Sequence, residues 1–284
     1  MTGVQTCALP IWERLDLPGT ALLGTGVLGL MLPLAFAESG GVRRLWWLFP
    51  AGVLLLVLFV RWERRVAAHE GRPLLDPRLL TDIRGYAPGA ALGALYFVGF
   101  SGIWLVFALF CQNGLGYTPL ESGLAVTPFA IGSAGAAVVA GRLVERFGRL
   151  LTVWGLMAVL TGLAATALIL RTAPQDTAAW LAAPALFVGG LGSGCVISPN
   201  VTMTLRDVPV RMAGAAGGAL QTGQRLGAAV GTAALPGFFY MVLAADGTNY
   251  RTAVFLSVVS ALVAVLAALA VALLDWRRDR YRPG

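Results

Sequence analysis

Gly141-Arg142-Leu143-Val144-Glu145-Arg146-Phe147-Gly148-Arg149 decides how this chain is read. It is a short charged stretch between two apolar runs, Leu120 to Ala140 and Leu150 to Leu170. Each run is long enough to cross a bilayer as a helix, which takes roughly 20 residues. A connection this short, holding Arg142, Arg146 and Arg149, cannot lie in hydrocarbon, so it marks a membrane face. The bias of basic residues toward cytoplasmic loops places that face in the cytoplasm.

Composition agrees. Of 284 residues, 57% are hydrophobic and only 12% charged, against about 25% charged in soluble domains. An integral, all-α membrane protein is expected. The net charge of +7 comes wholly from arginine. The arginines are spread over loop ends and form no basic face that would grip phosphates, so no nucleic-acid partner is expected. Cys7, Cys111 and Cys195 lack metal or redox spacing. There is no G-x-x-x-x-G-K phosphate loop and no nucleophile–base–orienter set, so neither a cofactor, a metal nor an enzymatic activity is expected.

Working outward from the stretch gives eight spans. They cover about Gly19 to Phe36, Leu45 to Val60, Gly89 to Cys111, Leu120 to Ala140, Leu150 to Leu170, Ala178 to Met203, Ala213 to Leu243 and Thr252 to Leu274. Arg61 to Arg84 is the longest polar segment, a cytoplasmic linker with room for a short interfacial helix; His69 within it reads as a solvated loop residue. Thr118-Pro119-Leu120-Glu121 has the form of a capping box, which gives Glu121 a structural role rather than that of a proton carrier. With the hinge cytoplasmic, only Arg43, Arg44, Arg171 and Arg251 fall on the opposite side, Arg225 lies inside a span, and both termini are cytoplasmic.

The spans differ. The fifth and eighth are nearly uniform aliphatic helices, as expected of helices facing lipid. The seventh carries Gly223, Gly227 and Gly231 at four-residue spacing, a face that lets a neighbouring backbone approach. About 200° away, Gly218, Gln221, Arg225 and Thr232 make a polar face. An ion inside a span is by default a functional candidate; Arg225 could equally snorkel to the nearby membrane face. On the third span Phe97, Ser101, Trp104, Ala108 and Gln112 form a mixed stripe, either ordinary packing or an apolar cavity wall. No Asp or Glu lies deep in any span.

The hinge resembles the signature loop of the major facilitator superfamily, of form G-x-L-[AV]-[DE]-R-x-G-R-[RK], with Leu150 where a further basic residue is usual. In that family the loop lies between the second and third helices of each six-helix half, which is its place among the last six spans here. Two extra spans ahead of this half resemble the fourteen-span drug:proton antiporters of the EmrB/QacA type. So do the strings Gln112-Asn-Gly-Leu-Gly-Tyr-Thr-Pro-Leu-Glu-Ser-Gly-Leu124, Ser198-Pro-Asn200 and Ala213-Gly-Ala-Ala-Gly-Gly-Ala-Leu-Gln-Thr-Gly-Gln-Arg225. The resemblance implies a C-terminal half-bundle whose third, fourth, sixth and seventh spans supply one cavity wall. Phe97, Ser101, Trp104, Gln112, Asn200, Gln221 and Arg225 are its candidate lining. Gly141, Glu145, Arg146, Gly148 and Arg149 are then a conformational latch toward the other half, with their charges solvated or on lipid headgroups in this chain.

Met1 to Ile11 resembles a translated sequencing-library adapter. The organisation expected is thus 1–11 outside the fold, two linker spans over 12–62, a cytoplasmic linker over 63–86, the six-helix domain over 87–276 and a cytoplasmic tail over 277–284. The function expected is proton-coupled efflux of hydrophobic compounds from the cell membrane. The coupling acid would lie in an N-terminal six-helix half that this chain lacks, and the chain alone would not transport. A same-fold transporter of lipid, peptide or sugar, and a non-transporting membrane scaffold, stay open as alternatives.

Overall fold

A computed structural model describes residues 16–36, 41–68, 78–174, 177–245 and 249–280. Among these, all regular structure is helical. The helices are α1 (Leu17–Ala35), α2 (Gly41–Arg44), α3 (Leu48–Ala68), α4 (Arg78–Thr81), α5 (Tyr86–Leu109), α6 (Pro119–Phe147), α7 (Arg149–Thr172), α8 (Ala178–Leu181), α9 (Ala183–Leu205), α10 (Ala213–Ala245) and α11 (Tyr250–Arg280). Six of them, α5, α6, α7, α9, α10 and α11, are long and apolar enough to cross a membrane. The residues of the adapter-like start and His69 lie outside the described residues.

The first two expected spans correspond to α1 and α3. The apolar run of α1 is short, Leu17–Pro33. α3 continues past Val60 through Arg61, Glu63, Arg64 and Arg65 into the expected linker. Packing explains the extension. The indole N–H of Trp62 donates to both carboxylate oxygens of Asp16, at 3.1 and 2.9 Å, and Glu63 is buried beside Gly19. These contacts bring the last turns of α3 back onto the start of α1.

The hinge is not a loop. α6 runs unbroken through Gly141 to Phe147, and α7 begins at Arg149. Gly148 alone separates them, with φ 52° and ψ −131°. A side chain strongly disfavours that backbone region, and glycine has none to clash. At the other end of α6 the expected capping box is complete: the Glu121 amide donates to the Thr118 hydroxyl and the Glu121 carboxylate accepts from the Thr118 amide. The sixth expected span is divided at Ala182 into α8 and α9, because Pro184 in the first turn of α9 lacks the N–H a continuous helix needs there. α5 closes in a single π-turn, Phe110–Gly114, which places Gln112 at the end of the bundle.

The six apolar helices pack as an open row of neighbours. α6 packs on α9, α9 on α7, α7 on α11, α11 on α5 and α5 on α10. Glycines set the approach. A Cβ on Gly227 or Gly231 would run into the carbonyls of Ala94 and Val98 on α5, and one on Gly132 of α6 would meet the Phe187 carbonyl of α9 at 2.6 Å. Gly223 differs from its two partners: nothing lies within 4 Å of its Cβ position, so it is not part of the packing face.

The plain helices are packed on one side and show exposed apolar residues on the other, Met157 and Leu168 on α7 and Val263 and Leu266 on α11. α6 and α10 are the least buried of the six, and α7 is among the most buried. The cause is position: α6 and α10 stand at the two open ends of the row, whereas α7 and α11 each touch several helices behind it. Gly155 and Gly162 of α7 face Gly192 and Gly189 of α9.

Gly231→Leu is expected to lower the stability of the purified chain by roughly 1–3 kcal/mol through overpacking, and Gly223→Leu to leave it nearly unchanged. Thermal unfolding in detergent, followed by helix content, separates the two.

Candidate functional site

Each neighbour occupies a sector of α5, at about 100° per residue. α10 lies against Ala94, Val98 and Gly102. α11 lies against Gly99, and α9 against Gly89, Gly93 and Tyr96. The sector left between α10 and α6 carries Phe97, Ser101, Trp104 and Ala108, all half-buried. This is the expected stripe, without Gln112, which the π-turn carries to the end of the bundle.

The stripe is braced by aromatic contacts. Tyr96 stacks on Phe100 with centroids 5.2 Å apart, Phe100 meets Trp104 edge-on at 5.7 Å, and Trp104 meets Phe129 of α6 at 4.4 Å. Offset and edge-on pairs of this kind are the favoured aromatic geometries. Phe129 was not among the expected residues; its signal was its standing as the lone aromatic in the apolar run of α6. Across the open face, Gln221 and Arg225 are exposed on α10, on the side that also shows Gly218 and Thr232.

Asn200 is not on that face. It is buried, and its amide N–H donates to the Gly89 carbonyl of α5 at 3.0 Å. The neighbouring Thr204 hydroxyl donates to the Asn200 carbonyl at 2.6 Å. Gln224 of α10 reaches the same place: a Cβ on Gly93 would meet the Gln224 Nε2 at 3.2 Å and the Asn200 Nδ2 at 3.3 Å. Two amides from two helices thus converge beside one glycine of α5, where α5, α9 and α10 meet, and the Asn200 bond ties α9 to α5. The sequence singled out Gln221 one turn earlier and missed Gln224, which lies on the packed side.

The signature stretch divides in two. Gly141, Arg142, Glu145 and Arg146 are exposed, with the Arg146 guanidinium 5.5 Å from the Phe147 ring. Nothing lies within 4 Å of a Cβ on Gly141. Arg149 is different. It is 5% exposed, its Nε lies 2.7 Å from Oδ2 of Asp275, and its Nη2 donates to the Gly85 carbonyl at 2.7 Å. Gly85 has φ 73°, and a Cβ there would collide with that same Nη2. The expectation of a solvated Arg149 is therefore corrected. The charge of Arg149 is used inside the bundle, tying the start of α5, the start of α7 and the late turns of α11.

The family model of the Major Facilitator Superfamily matches residues 19–232 and, in a second placement, 89–284. A Streptomyces coelicolor protein named "Probable actinorhodin transporter" is 33% identical over 241 residues, 84% of this chain and 42% of that protein. The puromycin resistance protein pur8 of Streptomyces alboniger is 35% identical over 272 residues, 92% of this chain and 52% of that protein. The multidrug resistance protein Stp of Mycobacterium tuberculosis is 30% identical over 179 residues, 63% of this chain and 32% of that protein. The chain spans about half the length of the first two of these relatives.

Removing one member of a buried ion pair leaves the other charge uncompensated, at about 3–5 kcal/mol. Arg149→Ala and Asp275→Ala should each cost about that much, and the apolar double replacement Arg149→Met with Asp275→Leu should recover most of it. Glu145→Gln, at the surface, should stay within about 0.5 kcal/mol. Denaturant unfolding of the purified variants reads all four.

Proposed function

The chain belongs to the Major Facilitator Superfamily, and on that premise we propose that it is the C-terminal half of a secondary active transporter. It exports hydrophobic compounds, driven by protons, by rocking against an N-terminal six-helix half about a site near the membrane midplane. The names of its relatives, an actinorhodin transporter and drug-resistance proteins, support this cargo class.

The observation that carries the reading is the uncovered face between α6 and α10. These are the least buried of the six apolar helices. The α5 sector between them shows Phe97, Ser101 and Trp104, and α10 adds Gln221 and Arg225. An exposed ion such as Arg225 beside an exposed amide is costly against lipid. This face is suited to a cavity that a second half would close. Apolar walls with a few placed polar groups are what small-molecule sites use. Gln221 and Arg225 would supply hydrogen bonds to cargo.

In the same reading the Gly148 end of the bundle is cytoplasmic, as are both termini, and the chain sits in the cell membrane. The two exposed charges of the signature stretch, Glu145 and Arg146, contact the other half when that side closes. Arg149 does not take part in that contact; it holds its own half rigid. The hairpin of α1 and α3 is the pair of linker spans. Among the described residues of the six-helix domain the buried carboxylate is Asp275, which Arg149 already engages, so the reading assigns the proton carrier to the other half and expects no transport by this chain alone.

The test joins the reading frame upstream of Trp12 to the chain and expresses it in drug-sensitive cells. The expected frame encodes six further spans, and accumulation of a lipophilic dye falls severalfold. Trp104→Ala or Arg225→Ala should restore at least half of the lost accumulation. A start codon near Trp12, or unchanged dye accumulation, contradicts the reading, as does cargo-driven proton flux in vesicles holding this chain alone.

A further inference from the structure

The glycine-rich run Gly189-Gly190-Leu191-Gly192-Ser193-Gly194 places α9 against two helices at once. A Cβ on Gly190 or Gly194 would meet backbone of α6, and one on Gly192 backbone of α7. Ser193 is the exception in this run. It is wholly buried and faces neither of those contacts; its Oγ accepts the hydroxyl of Tyr96, on α5, at 2.9 Å. Tyr96 is itself 1% exposed. A buried phenol needs a partner, and Ser193 is its partner.

What this bond fixes is a ring. Tyr96 has two side-chain torsions; anchoring its hydroxyl fixes the first and so the place and tilt of the ring axis, while the ring plane about that axis is set by the rings packed on it. Its ring stacks on Phe100 with an interplanar angle of 19° and meets Phe97 edge-on at 5.8 Å. Phe100 passes the constraint to Trp104, and Trp104 to Phe129 of α6. The sequence of contacts runs from α9, through α5, to the aromatic rings on the uncovered face and on to α6. Phenylalanine at position 96 would fill the same space and keep the stack's area, but the far end of its ring would lose its tie to α9.

We propose that Tyr96 and Ser193 are positioning residues for cargo selectivity: their hydrogen bond sets the orientation of the Phe97, Phe100 and Trp104 rings that a planar apolar cargo would meet. This rests on the reading of the uncovered face as a cargo site. Neither residue touches cargo. Both act through the rings.

The test uses the whole chain in lipid nanodiscs, grown with 5-fluorotryptophan. The Trp104 fluorine resonance is assigned by Trp104→Phe, and Trp154, on α7, serves as the remote control. Tyr96→Phe and Ser193→Ala are each expected to move the Trp104 resonance while leaving Trp154 in place. The double variant should show the same displacement as either single, because one bond is lost in all three. Titrated 1-aminoanthracene, a neutral planar probe, should perturb Trp104 in the unaltered chain and require at least threefold more probe in each variant. The proposal is overturned if Trp104 does not move, if the two singles add in the double, if Trp154 moves equally, or if probe affinity is the same in all chains. If the probe never perturbs Trp104 while the non-additive displacement appears, the positioning role stands and the cargo-site reading fails.

Discussion

One buried charge holds the Gly148 end of this bundle together. Arg149 opens α7, yet its guanidinium reaches Asp275 of α11 and the Gly85 carbonyl that precedes α5. Three helices distant in sequence thereby share a single side chain. Desolvating both ions is expensive, and only close geometry with added hydrogen bonds offsets it. The rest of the local structure serves that geometry. Gly148 reverses the chain in one residue, which delivers Arg149 into the bundle rather than to the surface. Gly85, at positive φ and without a Cβ, leaves room for the guanidinium. Nearby, Leu79 of α4, Tyr86, Val208 and Ala216 form a small apolar cluster, with the Tyr86 hydroxyl bonded to the Ala216 carbonyl at 2.8 Å. This end is a rigid base.

From that base the helices separate into two kinds. α7 and α11 fill the back, and α6 and α10 stand at the open ends of the front with α5 and α9 between. Buried polar contacts concentrate where α5 meets its front neighbours: Asn200 on Gly89, Gln224 above Gly93, Tyr96 on Ser193. In a bilayer such contacts, with close glycine backbones, supply association that apolar surface cannot, since lipid is as apolar as leucine. The front is thus pinned by polar contacts behind it and left uncovered ahead, an arrangement that presents an aromatic and polar face as one firm wall.

The sequence was informative wherever a 3.6-residue period decides a face. The split of α10 into a packing side at Gly227 and Gly231 and a polar side at Gln221 and Arg225 was visible, as were the stripe on α5 and the capping box at Thr118. It failed where composition is degenerate. A uniform aliphatic helix reads the same on its lipid-facing and its packed side, so which side of α7 and of α11 is buried was not legible. Three arginines in one short stretch read alike, and nothing local says that Arg149 turns inward. Its partner sits in Asp275-Trp-Arg-Arg-Asp-Arg280, a charged run just past the last expected span, where nothing local says that Asp275 turns inward. Asn200 shows the same limit: a polar residue beside a proline suits a cavity wall or a packing seam equally, and only the position of Gly89 decides.

The central claim is that the face between α6 and α10 meets water and cargo, not lipid. Cysteine reactivity tests it most directly. In the protein with its full reading frame restored and native cysteines replaced, single cysteines are placed at Ser101 and Gln221, and at Val263, an exposed apolar position on α11. A membrane-impermeant, charged thiol reagent is applied to inverted vesicles. Fast labelling at Ser101 and Gln221, slowed by cargo, with little at Val263, is the predicted result. Labelling at Ser101 and Gln221 no faster than at Val263 would contradict the account.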